Sequence, residues 1–154
     1  MTTPIEKLRE YGYELPRPTP PVASYVPVVR TGNILYVSGQ ISSNEGGVVT
    51  GRLGETMNVV QGGNAAELAA LKILSEIVYS GGIELTRIKR VLKLTVLVAS
   101  TPEFSEQHLV ANGASNLIVG VLGDIGKHAR AAFGVAALPL GAAVEVEAVV
   151  EVEG

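Results

Sequence analysis

The sequence of 154 residues contains no cysteine and no tryptophan, and these absences narrow the chemistry that it can perform. Without cysteine, the protein cannot form a disulfide, a thiolate nucleophile or a cysteine-ligated metal site. It has only two histidines, His108 and His128, which are too few for a histidine-rich metal site. We therefore expect no metal, and carboxylate, guanidinium, amide and hydroxyl groups remain as candidates for a functional site.

Basic patches and long apolar runs are also missing. The formal net charge is −3, and no run of lysine and arginine is present that could neutralise phosphates, so nucleic acid is not an expected partner. The N-terminus lacks the apolar centre of a signal peptide. No stretch of about 18 apolar residues predicts a membrane span. These observations predict a soluble, cytoplasmic protein that does not bind membranes.

Aliphatic residues are abundant, because hydrophobic residues make up 47% of the chain and aromatic residues only 5%. The core is therefore expected to consist of valine, leucine, isoleucine and alanine. The length predicts one main folded domain. The mean hydropathy of +0.33 is high for a soluble monomer of this size, which favours an oligomer that hides apolar surface between its subunits.

The first 21 residues predict a short helix followed by a stiff connector. Thr3 is a typical N-cap, Pro4 suits the first helical turn, and Glu6 completes a capping box. The helix is expected to end at Gly12, and the proline-rich stretch 16–21 should be extended. Residues 1–21 are thus predicted to form an N-terminal helix and connector, and residues 22–154 the main domain.

The main domain alternates strand patterns with two helix patterns. After a predicted hairpin and a loop over 42–54, apolar residues recur at helical spacing, first from Asn58 to Ser80 and again from Thr101 to Leu122. Strands are predicted at 25–31, 34–38, 88–99, 130–137 and 144–153. The resulting order, ββαβαββ, predicts an α+β fold with one mixed sheet and both helices packed on one face. The other sheet face would be covered by neighbouring subunits.

Arg130 is the most informative residue, because it interrupts an apolar segment that resembles a buried strand. A guanidinium stays charged and presents five N–H donors, so it needs a partner in such a place. The partner could be a carboxylate of the protein, which would make Arg130 structural. It could also be the carboxylate of a ligand, held by two parallel hydrogen bonds.

Glu145, like Arg130, can be interpreted as a structural residue or as a functional one. It begins the last strand, which is joined to the strand of Arg130 by a short turn, so the two side chains could form a structural ion pair if those strands pair. Alternatively, Arg130 holds a substrate carboxylate while Glu145 orients a water molecule as general base. Glu147, Glu151 and Glu153 share the strand face of Glu145 and are expected to be solvated.

Three segments together resemble the Rid/YjgF family, also called L-PSP endoribonuclease-like. They run from Tyr25 to Gln40, from Ala129 to Pro139 and from Val144 to Ala148, within a resemblance that covers about residues 22–152. With its N-terminal helix and proline-rich connector, the chain resembles a distinct subgroup of this family with longer chains. The resemblance implies a chorismate-mutase-like (YjgF-like) fold and a homotrimer, with the sheets forming a central barrel and the helices outside. Its clefts lie between subunits.

The resemblance also implies an activity and a set of site residues. Proteins of the RidA type hydrolyse reactive 2-imino acids to 2-keto acids and ammonia, without metal or cofactor. By position, Arg130 matches the arginine that binds the substrate carboxylate, and Glu145 matches the glutamate associated with the attacking water. The matching substrate-binding positions are Tyr25, Ser38, Gly39, Asn112 and Ala132, and Ala132 stands where many relatives carry cysteine.

Three functions are therefore considered. The first is an imine deaminase of the 2-iminobutanoate/2-iminopropanoate type, whose partners are other copies of the chain and a small imine or keto acid that carries a carboxylate. The second is a binding module, in which the same cleft holds a small carboxylate metabolite without turning it over. The third is an endoribonuclease, as the alternative family name suggests, and the acidic charge argues against it.

Overall fold

A computed structural model describes residues 2–21 and 23–154 of the chain. Met1 and Val22, the first residues of the two predicted segments, lie outside the described residues. Three α-helices and seven strands follow in the order α1 (Pro4–Glu10), β1 (Val28–Thr31), β2 (Ile34–Ile41), β3 (Ser43–Asn44), β4 (Gly47–Val48), α2 (Val59–Tyr79), β5 (Ile88–Ala99), α3 (Gln107–Leu122), β6 (Ala129–Val135) and β7 (Val144–Val152).

The predicted helix caps at α1 and α2 are confirmed. The Thr3 side chain accepts from the Glu6 amide, and the Glu6 carboxylate accepts from the Thr3 amide, as a capping box requires. Asn58 forms the same reciprocal arrangement with Gln61 at the start of α2. Each arrangement satisfies amides that the first helical turn leaves without partners, and therefore marks where the helix begins.

Five strands form one mixed sheet in the order β1-β2-β7-β5-β6. β5 and β6 run parallel, and the other neighbouring pairs are antiparallel. The helices α2 and α3 pack against one another and against one face of this sheet. The mixed sheet with both helices on one face is therefore as predicted.

The alternation along β7 also agrees with the sequence pattern. Val144, Val146 and Val150 are fully buried towards the helices, whereas Glu147 on the opposite face is exposed. Apolar side chains of other strands, including Val29, Tyr36 and Phe133, remain exposed in the single chain.

The structure corrects several predicted element bounds, two of them substantially. α3 begins at Gln107, not near Thr101, because the chain first forms a turn in which the Phe104 amide donates to the Thr101 carbonyl. The Gln107 side chain then donates to the Phe104 carbonyl, which holds the turn outside the helix. The predicted loop over 42–54 contains the small hairpin β3–β4, and Asn44 supports its turn by accepting from the Gly46 amide.

The predicted buried strand around Arg130 is an edge strand in the single chain. β6 pairs only with β5 among the described residues, and Arg130, Phe133 and Gly134 are exposed. Apolar composition indicated a strand, but the strand order decides which strands lie at an edge. An exposed edge of this kind leaves backbone groups and side chains available to another chain.

α1 packs on α3, and Leu8, which is 1% exposed, belongs to the same apolar core as the sheet. The division into residues 1–21 and 22–154 stays a prediction. Residues Gln107–Gly126 are long and apolar enough to cross a membrane by length and composition alone. In this structure they are a core helix and the turn after it, with Val110, Leu117 and Ile118 buried.

Candidate active site

Arg130 is held against α3 by three hydrogen bonds. Its backbone is in register with Leu94 of β5, and its side chain reaches the helix-covered side of the sheet. Nη1 donates to Asn112 Oδ1 at 2.9 Å and to Ser115 Oγ at 3.2 Å. Nη2 donates to the His108 carbonyl at 3.2 Å. The guanidinium is therefore fixed by neutral acceptors that one helix supplies.

The Arg130 guanidinium has more N–H donors than these three hydrogen bonds use. A guanidinium carries five N–H groups, so three hydrogen bonds leave the Nε–H and one hydrogen of Nη2 without an acceptor among the described residues. None of the ion pairs among residues 2–21 and 23–154 involves Arg130. Nε and Nη2 form one edge of the guanidinium plane, which is the geometry that binds a carboxylate through two parallel hydrogen bonds.

His128 lies at the end of the turn that leads into β6 and extends the network around Arg130. Its Nε2 is 2.9 Å from Ser115 Oγ, and its Nδ1 is 2.6 Å from the Gly126 carbonyl oxygen. Burial lowers the pKa of His128; the hydrogen bond to Gly126 opposes this, and the charges of Arg130 and Arg90 lower the pKa further. The neutral imidazole is therefore favoured.

Glu145 occupies a different region, at the start of β7, where it pairs in register with Ile41 on one side and Leu97 on the other. Its side chain is half-buried. Burial raises the pKa of its carboxyl group, the neighbouring charge of Glu147 raises it further, and the charge of Lys72 lowers it. A carboxylate with a raised pKa is a better proton acceptor than a fully solvated one.

Gly39 makes room for the Glu145 carboxylate. The pairing of β2 with β7 is irregular between Val37 and Gln40, so Ser38 and Gly39 lie in a bulge. A β-carbon at position 39 would overlap Glu145 Oε2. The glycine at this point is therefore required by the close approach of a neighbouring side chain.

Lys72 of α2 lies at the same end of the sheet. Its Nζ donates to the Ile41 carbonyl at 3.2 Å and to Ser43 Oγ at 3.0 Å. Burial lowers the pKa of this lysine, while the charges of Glu76 and Glu145 raise it. The ammonium and the Glu145 carboxylate thus stabilise one another across the end of β2.

Arg130 and Glu145 do not approach one another within the chain. β5 separates their strands, and they pair with positions three residues apart on β5, Leu94 and Leu97. With strands about 4.8 Å apart and about 3.3 Å of rise per residue, their Cα atoms are on the order of 14 Å apart. The Arg130 side chain lies on the helix-covered side of the sheet. Glu145 stands between Val144 and Val146, whose side chains are buried on that side, so its own side chain lies on the other side. The condition for a structural ion pair, direct pairing of the two strands, is therefore not met, and that interpretation does not hold within one chain.

The predicted site residues therefore fall into two groups, which we call the arginine half and the glutamate half. The arginine half contains Arg130 and Asn112, with Ala132 two positions along β6. The glutamate half contains Glu145, Gly39 and Ser38, together with Tyr25.

Tyr25 is 57% exposed and lies just before Pro27, whose carbonyl accepts from the Ser38 amide at 2.8 Å. This backbone bond holds the segment before β1 beside the bulge, and on this ground we group Tyr25 with the glutamate half.

Three contributors were missed by sequence reasoning. Ser115 and His128 complete the hydrogen-bond network of the arginine half, and Lys72 lies beside the glutamate half. Helical spacing offered one usable signal, since Ser115 follows Asn112 by three residues and therefore lies on the same helix face. Nothing in the sequence indicated that α2 would bring a lysine to the end of β2.

Comparison with known proteins places the chain in a family. The family profile described as Endoribonuclease L-PSP matches residues 17–152. The chain is 49% identical over 146 residues to Protein TCP17 of Trypanosoma cruzi, covering 94% of this chain and 91% of that protein. It is 36% identical over 129 residues to the 2-iminobutanoate/2-iminopropanoate deaminase of Rattus norvegicus, covering 83% of this chain and 80% of the relative.

A solved structure agrees with the fold. The protein Atu1372 of Agrobacterium tumefaciens, whose function is unknown, superposes with a TM-score of 0.91 at 48% identity, covering 98% of this chain and 94% of that chain. The chain therefore belongs to the endoribonuclease L-PSP family, the Rid/YjgF family that its sequence segments resemble. The family expectation is thus confirmed.

Proposed function

We propose that this protein hydrolyses 2-imino acids to 2-keto acids and ammonia in clefts between the subunits of a homotrimer. The observation that carries the proposal is the state of Arg130, which is exposed and is fixed by three neutral acceptors. Its Nε–H and one hydrogen of Nη2 have no acceptor among the described residues. Two relatives, 36% and 33% identical to the chain, are named 2-iminobutanoate/2-iminopropanoate deaminase.

The two halves favour a site shared between subunits. Arg130 and Glu145 are too far apart, and on opposite sides of the sheet, to contact one small molecule in a single chain. A neighbouring copy could bring its glutamate half to the arginine half across the exposed edge of β6. The exposed apolar side chains of the uncovered sheet face would pack against other copies in the same assembly, forming the central barrel.

In the proposed reaction, Arg130 binds the carboxylate of the imino acid and so fixes the imine carbon. A water molecule adds its oxygen to this carbon while Glu145 accepts a proton from the water. Glu145 returns that proton to the nitrogen, which gives an intermediate with a hydroxyl and an amino group on the same carbon. Glu145 then takes the hydroxyl proton and passes it to the nitrogen as the carbon–nitrogen bond breaks, which releases ammonia and leaves the keto group. Asn112 holds Arg130 in place, whereas Tyr25, Ser38 and Gly39 line the opposite wall.

Confinement and orientation supply much of the effect, so no cofactor or metal is needed for this step. Ala132 offers no thiol, and the proposed reaction assigns it only a backbone contact. A cytoplasmic location remains a prediction from the sequence.

A second candidate function is binding of a small carboxylate metabolite without turnover. It is favoured by one observation, that the arginine half is complete in a single chain and does not depend on Glu145. Endoribonuclease activity has less support, because His128 is already engaged with Ser115 and Gly126, and the chain carries a net charge of −3.

The test is a coupled assay in which an amino-acid oxidase generates 2-imino acids and release of 2-keto acids is followed. We expect wild-type protein to accelerate release and Arg130→Ala to be at least about 100-fold slower, since two charge-assisted hydrogen bonds are lost. Arg9→Ala is the matched control, because Arg9 is exposed on α1 and, among the described residues, forms an ion pair with Glu14 alone.

Light scattering after size exclusion checks the assembly of each variant. A wild-type trimer that accelerates no imine would contradict the deaminase proposal. Binding of 2-oxobutanoate that is lost in Arg130→Ala would then support the binding module instead. A monomer would contradict the shared cleft.

A further inference from the structure

The hydrogen bonds around His128 have only one consistent direction. The Gly126 carbonyl oxygen can only accept, so Nδ1 of His128, which is 2.6 Å away, must carry a proton. In the neutral ring, Nε2 is then an acceptor. The hydroxyl of Ser115, at 2.9 Å, must therefore donate to Nε2.

Ser115 is thereby oriented towards Arg130. Because its hydroxyl hydrogen points at His128, its lone pairs remain for other donors. Nη1 of Arg130 donates to this oxygen at 3.2 Å, and its second hydrogen bond goes to Asn112. The chain of donors runs from Arg130 through Ser115 to His128, and it ends at the backbone of the turn that leads into β6.

We propose that Ser115 and His128 are positioning residues, in which neutral His128 orients the Ser115 hydroxyl so that Ser115 holds Arg130 ready for a substrate carboxylate. This inference rests on the proposed role of Arg130 in carboxylate binding. Neither residue touches the substrate in this arrangement. Their effect is to limit the orientations of the guanidinium before the substrate arrives, which reduces the entropy lost on binding.

The charges around His128 favour its neutral form. Arg130 faces it from β6 and Arg90 from β5, where Nε of Arg90 donates to the Lys127 carbonyl at 2.8 Å. The Lys127 ammonium itself pairs with Asp124 at 3.2 Å and is largely solvated. A proton on Nε2 would make both His128 and Arg130 donors to Ser115 Oγ, and would leave the hydroxyl hydrogen without its acceptor.

The test compares three variants in their affinity for 2-oxobutanoate, a stable keto acid with the required carboxylate. Ser115→Ala removes the hydroxyl, and His128→Phe keeps a ring but removes the acceptor. We expect each to raise the Kd about three- to tenfold, the effect of one lost hydrogen bond. His128→Gln retains an amide oxygen that can accept from Ser115, and we expect its Kd to stay within about twofold of wild type.

A double-mutant cycle separates positioning from simple stabilisation. If the residues act in series, Ser115→Ala combined with His128→Phe should raise the Kd no more than the worse single variant. In the deamination assay, KM should rise while kcat stays nearly constant, because the lost contact helps ground state and transition state alike. Additive effects, or variants that lose only thermal stability and keep the wild-type Kd, would overturn the proposal.

The wild-type protein offers a test that no folding defect can obscure. Nitrogen-15 chemical shifts of the His128 ring report which nitrogen carries the proton, and we expect Nδ1–H with a bare Nε2. An Nε2–H tautomer would refute the inferred direction. If instead wild type and Arg130→Ala bind 2-oxobutanoate equally, carboxylate binding by Arg130 fails, and that failure is distinguishable from failure of the positioning chain.

Discussion

The two halves of the candidate site are built in different ways. The arginine half is exposed and is organised by hydrogen bonds between an edge strand, one helix and the turn that leads into the strand. The glutamate half is partly buried, lies in a bulge between two strands, and is adjusted by the charges of Lys72 and Glu147. We infer that the arginine half supplies a fixed geometry for binding, whereas the glutamate half supplies a carboxyl group whose proton affinity is adjusted by its surroundings.

The physical reason for this difference lies in the charges. A guanidinium stays protonated in any protein environment, so structure can only orient it. A carboxyl group changes its proton affinity with burial and neighbouring charge, so structure can adjust it. Substitutions in the glutamate half should therefore change rates and pH profiles, whereas those in the arginine half should first change affinity.

The largest effect expected in the glutamate half comes from Glu145→Gln. The amide keeps the shape of the side chain but cannot accept the proton of water, so kcat for imine hydrolysis should fall about 100- to 10,000-fold. The Kd for 2-oxobutanoate, measured by calorimetry, should stay within about twofold of wild type. Glu151→Gln, further along the same strand face, is the control. A loss of keto-acid affinity equal to the loss of rate would erase the proposed distinction between the halves.

Gly39→Ala should have the next largest effect. A β-carbon at this position would overlap the Glu145 carboxylate, which must move. We expect kcat to fall about tenfold or more from misplacement of the general base, with smaller change in keto-acid affinity. Gly63→Ala in α2 is the control, because its added methyl group meets nothing within 4 Å and should stabilise the helix.

Unchanged kcat in Gly39→Ala, in a protein that is folded and assembled like wild type, would mean that Glu145 does not need its present position. The melting temperatures of both glycine variants should be recorded alongside the rates, since a helical glycine replaced by alanine is expected to raise stability by about 0.5 to 1 kcal/mol.

Lys72→Met should have the smallest effect, confined to the pH profile. The charge of Lys72 lowers the pKa of Glu145, so its removal should raise that pKa further. The general base must be deprotonated, and activity is lost as pH falls through its pKa. The acidic limb of kcat/KM should therefore move to higher pH, whereas Lys89→Met at the far end of β5 should leave it in place. An acidic limb that moves to lower pH would contradict the assigned interaction.

The local features of this fold could be read from the sequence because neighbouring residues determine them. Thr3 with Glu6 marked the start of α1, and the alternation from Val144 to Val152 marked both faces of β7. α3 could not be placed at its start, because Phe104 and Gln107 close a turn that mimics the first helical turn. The family resemblance named Arg130, Asn112, Glu145 and Gly39 as site residues, and their roles stay proposals.

The sequence by itself determined which residue types are available and how the helices and most of the strands are spaced. Only the tertiary structure decided that β5 separates β6 from β7, so that Arg130 and Glu145 lie in different halves on opposite sides of the sheet. It alone brought Ser115 and His128 to Arg130, and Lys72 to the end of β2. The reason is physical: periodicity records which face of an element is apolar, whereas strand order and helix docking depend on contacts between residues far apart in the chain.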